Sequence, residues 1–199
     1  MKLAWKSIWK ELEFKRQLAH MFGGLAYAFA FSMGWMTPTI SAVLLIVSIF
    51  VSFWLTKRRK FVDKIVLLLE RQHHLNSMPL KGLVFFFVGA TLTITFFDFL
   101  PALAGLVVLA IADSIGTLYG KYVGVAKIRW NPNKHMEGPI LGGFIAALAL
   151  MSFLPMPPAV LGAYAGAFLD TLTIKIFGFE IDDNLLIPVI SAGIIQLML

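Results

Sequence analysis

Cysteine is absent from the 199 residues, which removes disulfides, thiolate metal ligands and a cysteine nucleophile. Charge is scarce too. Only 14% of residues are charged, against about 25% in soluble domains, while 59% are hydrophobic. The mean hydropathy of +0.82 fits the same class. Such a chain belongs in a membrane. Acids are rarer than bases, 11 against 17, yet the net charge of +6 does not call for nucleic acid as a partner. Basic loops in a hydropathic chain follow membrane topology instead. The chain also lacks internal repeats, low-complexity tracts and domain linkers, and its start lacks the order of a cleavable signal peptide. One membrane domain over 1–199 is expected.

What is present is apolar, in seven runs: Leu18–Trp35, Thr39–Leu55, Gly82–Phe97, Pro101–Tyr119, Gly138–Leu154, Pro157–Ile176 and Asn184–Leu199. Each is close to the ~20 residues that cross a ~30 Å hydrocarbon core. Only helices satisfy their own backbone there. The expected fold is therefore all-α, a polytopic integral membrane protein with about seven transmembrane helices in 18–199. Residues 1–17 precede them as an amphipathic interfacial helix, with Trp5, Ile8, Trp9 and Leu12 on one face.

Basic residues test this topology. Five Lys/Arg precede the first run, seven lie between the second and third, four between the fourth and fifth, and Lys175 ends the sixth. The turns near Pro38, Pro101 and Pro157 hold none. All 17 thus fall on one side, which the positive-inside rule makes cytoplasmic, with the N-terminus inside. Active-site loops are expected on that face, near 57–81, 120–138 and 177–184.

Asp113 stands inside an apolar run, where an acid costs about 2.5–3.5 kcal/mol and marks a functional site. Asp113, Gly116, Thr117, Gly120 and Lys121 share a helical face. The glycines admit two readings: a bare strip for a polyphosphate between the carboxylate and the ammonium, or a small-xxx-small ladder for close helix packing. Gly116 to Lys121 is one residue short of a P-loop and has Tyr122 where a hydroxyl would hold magnesium. The basic loop beyond supplies Lys134 and leads to Glu137 and Gly138. Asn133 or His135 is expected to begin the next helix, whose amino end would suit phosphate. Asp170 lies inside the sixth run, and Asp182-Asp183-Asn184 precede the last.

Asp113, Glu137, Asp170 and Asp183 are thus expected at one membrane face with Lys121 and Lys134. Carboxylates suit a hard divalent cation such as Mg²⁺, and amines suit phosphate. The chemistry this set suggests is metal-assisted phosphoryl or nucleotidyl transfer to a lipid.

Four stretches carry a resemblance. Glu13-Phe-Lys15-Arg16-Gln-Leu-Ala-His20-Met-Phe-Gly23 is similar to E-x-x-R-K-x-x-H-x-x-G, with the basic pair inverted. Ala112-Asp113-Ser-Ile-Gly116-Thr-Leu-Tyr-Gly120 resembles G-D-x-x-A-x-x-x-G. Asn131-Pro-Asn133-Lys134-His-Met-Glu137-Gly138 resembles N-x-x-K-S-x-E-G-[ST], with His135 and Pro139 where hydroxyls are usual. Asp182-Asp183-Asn184-Leu-Leu-Ile-Pro188 resembles D-D-N-L-x-x-P. In this order they resemble the CTP-dependent lipid-alcohol kinases, which include dolichol kinase, phytol kinase and a CTP-using diacylglycerol kinase.

The resemblance implies CTP as phosphoryl donor, a long-chain isoprenoid alcohol (polyprenol or dolichol type) as acceptor, and CDP as product at the cytoplasmic face. It makes Asp113 and Asp183 metal or base residues, and Asp170, where glutamate is common, a metal ligand or organiser of the hydroxyl. Gly116, Gly120, Lys121, Asn133, Lys134, Glu137, Gly138 and Asn184 become nucleotide or phosphate contacts, with Arg16 and His20 in support. Two rivals stand beside it. One is a phosphatidate cytidylyltransferase, although the closing K-D-x-x-x-x-x-x-G-G-x-x-D-R block of that family is missing. The other is a non-enzymatic lipid or ion transporter, which would stagger its acids through the bilayer.

Overall fold

The computed structural model describes residues 12–57, 79–176 and 179–199. Among them the chain is mostly helical, with seven helices: α1 (Leu12–Ser32), α2 (Pro38–Lys57), α3 (Lys81–Phe96), α4 (Phe99–Tyr122), α5 (Glu137–Leu150), α6 (Met156–Leu169) and α7 (Asp183–Met198). Two short antiparallel hairpins interrupt them, β1 (Lys127–Ile128) with β2 (Asn131–His135), and β3 (Lys175–Ile176) with β4 (Phe179–Glu180).

Helix ends follow local chemistry. Gly34, at φ +74°, takes the left-handed turn that closes α1. Thr37 Oγ1 accepts from Ile40 N (3.2 Å) at the start of α2, with Pro38 in the first helical position. Pro157 and Pro158 lie in the first turn of α6. Asp182 caps α7 by accepting from Asn184 N.

α4 is the axis of the fold. It packs on α1, α5, α6 and α7, and Ala104, Val108, Leu109 and Ala110 are fully buried. Its middle turn, Leu109–Asp113, is π-helical, a bulge often found at functional sites. Small residues bring the helices close. Pro188 in α7 has no N–H to give to the carbonyl of Asn184, four residues earlier. Gly89 of α3, without a Cβ, packs directly on that carbonyl.

α2 has the opposite character. Its inward residues are Ser41, Ser48, Ser52 and Leu55, three of them polar, whereas Ile46 and Phe50 are 66% and 69% exposed. Ser41 Oγ meets Tyr27 OH and Thr91 Oγ1, each at 2.6 Å. Two helices, α2 and α4, are long and apolar enough to cross a membrane; α3, α5, α6 and α7 are apolar and shorter.

Several expectations change. The chain is mostly helical, as expected, but carries two short hairpins: β1–β2 lies in the expected 120–138 loop, whereas β3 occupies the end of the sixth run. The sixth run is helical only to Leu169, and Asp170 caps that helix rather than lying within it. Asn133 and His135 belong to β2, and α5 starts at Glu137. Of the expected interfacial helix 1–17, residues 12–17 continue directly into α1, and 1–11 lie outside the described residues. So do 58–78 of the 57–81 loop and 177–178 of the 177–184 loop.

Candidate functional site

Three acids far apart in sequence meet at one end of the bundle. Asp113 leaves the π turn of α4, Asp170 ends α6, and Asp183 begins α7; one carboxylate oxygen from each lies within 4.8 Å of the others. Asp113 and Asp170 are 8% and 7% exposed. Burying three carboxylates together is unfavourable unless positive charge offsets them. Lys134, carried in by β2, supplies part of that charge: its Nζ donates to the carboxylate and to the main-chain carbonyl of Asp170. Burial works against the Lys134 ammonium, but Asp170, Asp183 and Asp113 outweigh it and hold its pKa above the ordinary lysine value.

The hairpin that delivers Lys134 is pinned in place. Trp130 Nε1 donates to Thr171 Oγ1 (3.3 Å), and Asn131 Nδ2 donates to Thr171 O (3.1 Å). At its base, Glu137 Oε1 accepts from Val125 N and Ala126 N, both at 2.9 Å. Glu137 therefore fastens the loop to the mouth of α5.

Asp113 and Asp183 border a cavity of about 330 Å³. Its polar end holds Asp113, Asp183, Lys134 and Asn184, with Arg16, Gln17 and His20 from α1 opposite; its other end is apolar. His20 Nε2 is 3.3 Å from Asp113 Oδ2, off the line of a hydrogen bond. Arg16 pairs with Glu13, one turn earlier. Thr117 Oγ1 donates weakly to Asp113 Oδ1 (3.4 Å). Asn184 Nδ2 donates to Asp182 Oδ1 (2.7 Å), leaving Asn184 Oδ1 buried without a hydrogen bond. Burial first, and then the charge of Asp183, push Asp182 up to about 7.

The glycine ladder has a different place. A Cβ on Gly116 would stand 3.3 Å from Gly138 O, and one on Gly120 3.5 Å from Gly138 Cα; a Cβ on Gly138 would collide with Gly116 O. These three glycines form the contact between α4 and α5, so the strip considered for a polyphosphate is filled by protein. Lys121 is exposed, with its Nζ 5.5 Å from the Tyr122 ring centre, and does not line the cavity. Asn133 is exposed on β2. Glu137 borders a separate shallow hollow with Tyr164 and Phe144.

Sequence reasoning missed Gln17 on the cavity wall, and gave no site role to Thr117, on the Asp113 face, or to Asp182, beside Asp183. Gln17 is 5% exposed, and among the described residues its Oε1 has no hydrogen bond. An amide one residue from Arg16 and three from His20 shares their helical face, which was the available signal. Trp130 and Thr171 carried none, since their pairing links positions 41 apart.

The three carboxylates fit a hard cation. On an octahedral ion at about 2.1 Å, neighbouring ligands stand about 3.0 Å apart and opposite ones about 4.2 Å, so the three oxygens, within 4.8 Å of one another, would draw together around it. Comparison of the chain with protein-family models, curated proteins and solved structures finds no match to any of them.

Proposed function

We propose that this chain is a multi-pass membrane kinase that transfers the γ-phosphoryl group of CTP to the hydroxyl of a long-chain isoprenoid alcohol at the cytoplasmic face. One observation carries the reading: three clustered carboxylates and a lysine lie beside a cavity that is polar at one end and apolar at the other. Hard oxygen ligands and an ammonium suit a metal–polyphosphate, and the apolar end suits a lipid. The choice of CTP and of the alcohol rests on the four motif blocks.

Membrane residence is supported by the inside-out character of α2 and by exposed Phe22, Phe29 and Phe144 on other helices. The seven-span arrangement draws on the apolarity of α2 to α7 and of the run Leu18–Trp35 that holds most of α1. At 1.5 Å per residue, α5 and α6 are about 21 Å long, so their flanking turns would complete the crossing. The N-inside orientation rests on the basic residues.

A bound divalent cation would neutralise phosphate charge and polarise the γ-phosphorus. Asp113 and Asp183 would hold it, and Asp170, steadied by Lys134, would complete the set or orient the acceptor hydroxyl. The alcohol oxygen bonds to the γ-phosphorus, the bond from that phosphorus to the β–γ bridging oxygen breaks, and CDP leaves. A carboxylate of the cluster takes the hydroxyl proton. Lys134 stays protonated to offset the charge on the phosphates.

The test is incubation of purified protein with radiolabelled CTP, magnesium and a panel of polyprenol, dolichol, phytol, geranylgeraniol, diacylglycerol and phosphatidate. CDP with a phosphorylated alcohol is expected. Pyrophosphate with a CDP-lipid would make the protein a cytidylyltransferase instead. No turnover with any lipid would overturn the reading.

A further inference from the structure

The cavity is not closed on all sides. Between α1 and α3 its wall is made of Gly23, Tyr27, Leu83, Phe86 and Phe87. α1 packs chiefly on α4, and α3 on α2 and α7. Across the gap the contacts are aromatic edges: His20 and Tyr27 approach Phe86 with ring centres 6.1 and 5.4 Å apart. Two adjacent glycines differ sharply here. A Cβ on Gly24 would stand 2.8 Å from Ala110 Cβ, so that position is filled. A Cβ on Gly23 would meet nothing within 4 Å, and Gly23 is both exposed and part of the cavity wall. Phe22, beside it, is 63% exposed. At Gly23 the cavity opens onto the apolar outside of the bundle.

We propose that the acceptor's hydrocarbon chain leaves the cavity sideways at Gly23, between α1 and α3, and that the missing side chain there limits the site to lipids with one chain next to the hydroxyl. This rests on the kinase reading for the identity of the acceptor. The volume argues for it. About 330 Å³ is at the small end of ligand sites, too little for phosphates and a long chain together, so most of the chain lies outside. The carboxylates and Lys134 hold the polar end, so the chain must run the other way, along Leu83 and Phe87. An opening made by one absent side chain passes one chain; a lipid with two chains at its head would have to part α1 from α3.

The test uses the full-length protein in vesicles and a polyprenol analogue with a diazirine in its first isoprene units. Photolysis is expected to label peptides covering residues 19–27 and 82–87. Gly23→Leu fills open space on an exposed helical face, which favours helix, and is expected to cut this labelling about tenfold, with Gly23→Ala intermediate and melting temperatures retained. Unlabelled polyprenol competes, and diacylglycerol does not. Labelling spread over the exposed face of α2 and unchanged by Gly23→Leu would overturn the proposal, as would equal competition by diacylglycerol. Labelling is read without CTP, so lack of turnover would sink the kinase and leave the opening standing.

Discussion

On one side of α4, Asp113 and Thr117 look into the cavity; on the next face round, Gly116 and Gly120 lie against Gly138 of α5. Both sets come from eight consecutive residues of one helix, Asp113 to Gly120. The first side keeps a buried carboxylate and meets Asp170, Asp183 and Lys134. The second has no side chains at all and brings two backbones into contact. One stretch of helix thus divides its tasks between two adjacent faces. Here chemistry is assigned to the carboxylate side and close packing to the glycine side.

Five substitutions test that division. The largest expected effect is from Asp113→Asn, which removes charge but little volume. Phosphoryl transfer should fall by about 10²–10⁴-fold, with the protein still folded by circular dichroism and gel filtration. Lys134→Ala comes next, because it leaves Asp170 buried without its cation. A loss of about 2–3 kcal/mol is expected in denaturation. The Lys134 pKa is raised in the folded state, so its stabilisation is complete at neutral pH and fades as the pH climbs beyond the unfolded value of about 10.4. The gap between wild type and Lys134→Ala should therefore stay constant from pH 7 to 9 and narrow above that.

On the glycine side, Gly138→Ala forces a methyl into Gly116 O and should cost about 1–3 kcal/mol. Gly120→Ala finds 3.5 Å to Gly138 Cα and should change stability by less than about 1 kcal/mol. Neither should alter the KM for CTP in protein that folds. A raised KM for Gly120→Ala would return that face to phosphate binding. The smallest effect belongs to Glu137→Gln, which keeps an oxygen for Val125 N and Ala126 N. Melting temperature and turnover should both be retained.

The helices were legible because apolar runs and their Pro and Gly boundaries are local signals; six of the seven runs end within a few residues of the observed helices. The exception is the sixth, where Leu172 and Ile174 continue the apolar pattern but the chain turns at Asp170 to receive Lys134 and Trp130. Asp113 was legible as a lone acid in hydrocarbon, and the meeting of the three aspartates at one end followed from counting basic residues loop by loop. Which way the glycines point was not legible, because a stripe of small residues is the same stripe whether a ligand or a helix covers it. The β1–β2 hairpin was hidden for another reason. Its short strands have little propensity of their own and are held by Thr171, and by Glu137 at their base. Gly23 and Gly24 are alike in sequence, and only the neighbouring Ala110 makes one tight and the other open.

The proposed metal site, in which Asp113 and Asp183 would hold one divalent cation beside the cavity, is open to direct measurement. Titration of the purified protein with Mn²⁺, followed by electron paramagnetic resonance, tests it without any substrate. One bound ion per chain is expected in the wild type, displaced by Mg²⁺ and lost in both Asp113→Asn and Asp183→Asn. Equal Mn²⁺ binding in the wild type and in both variants would contradict it.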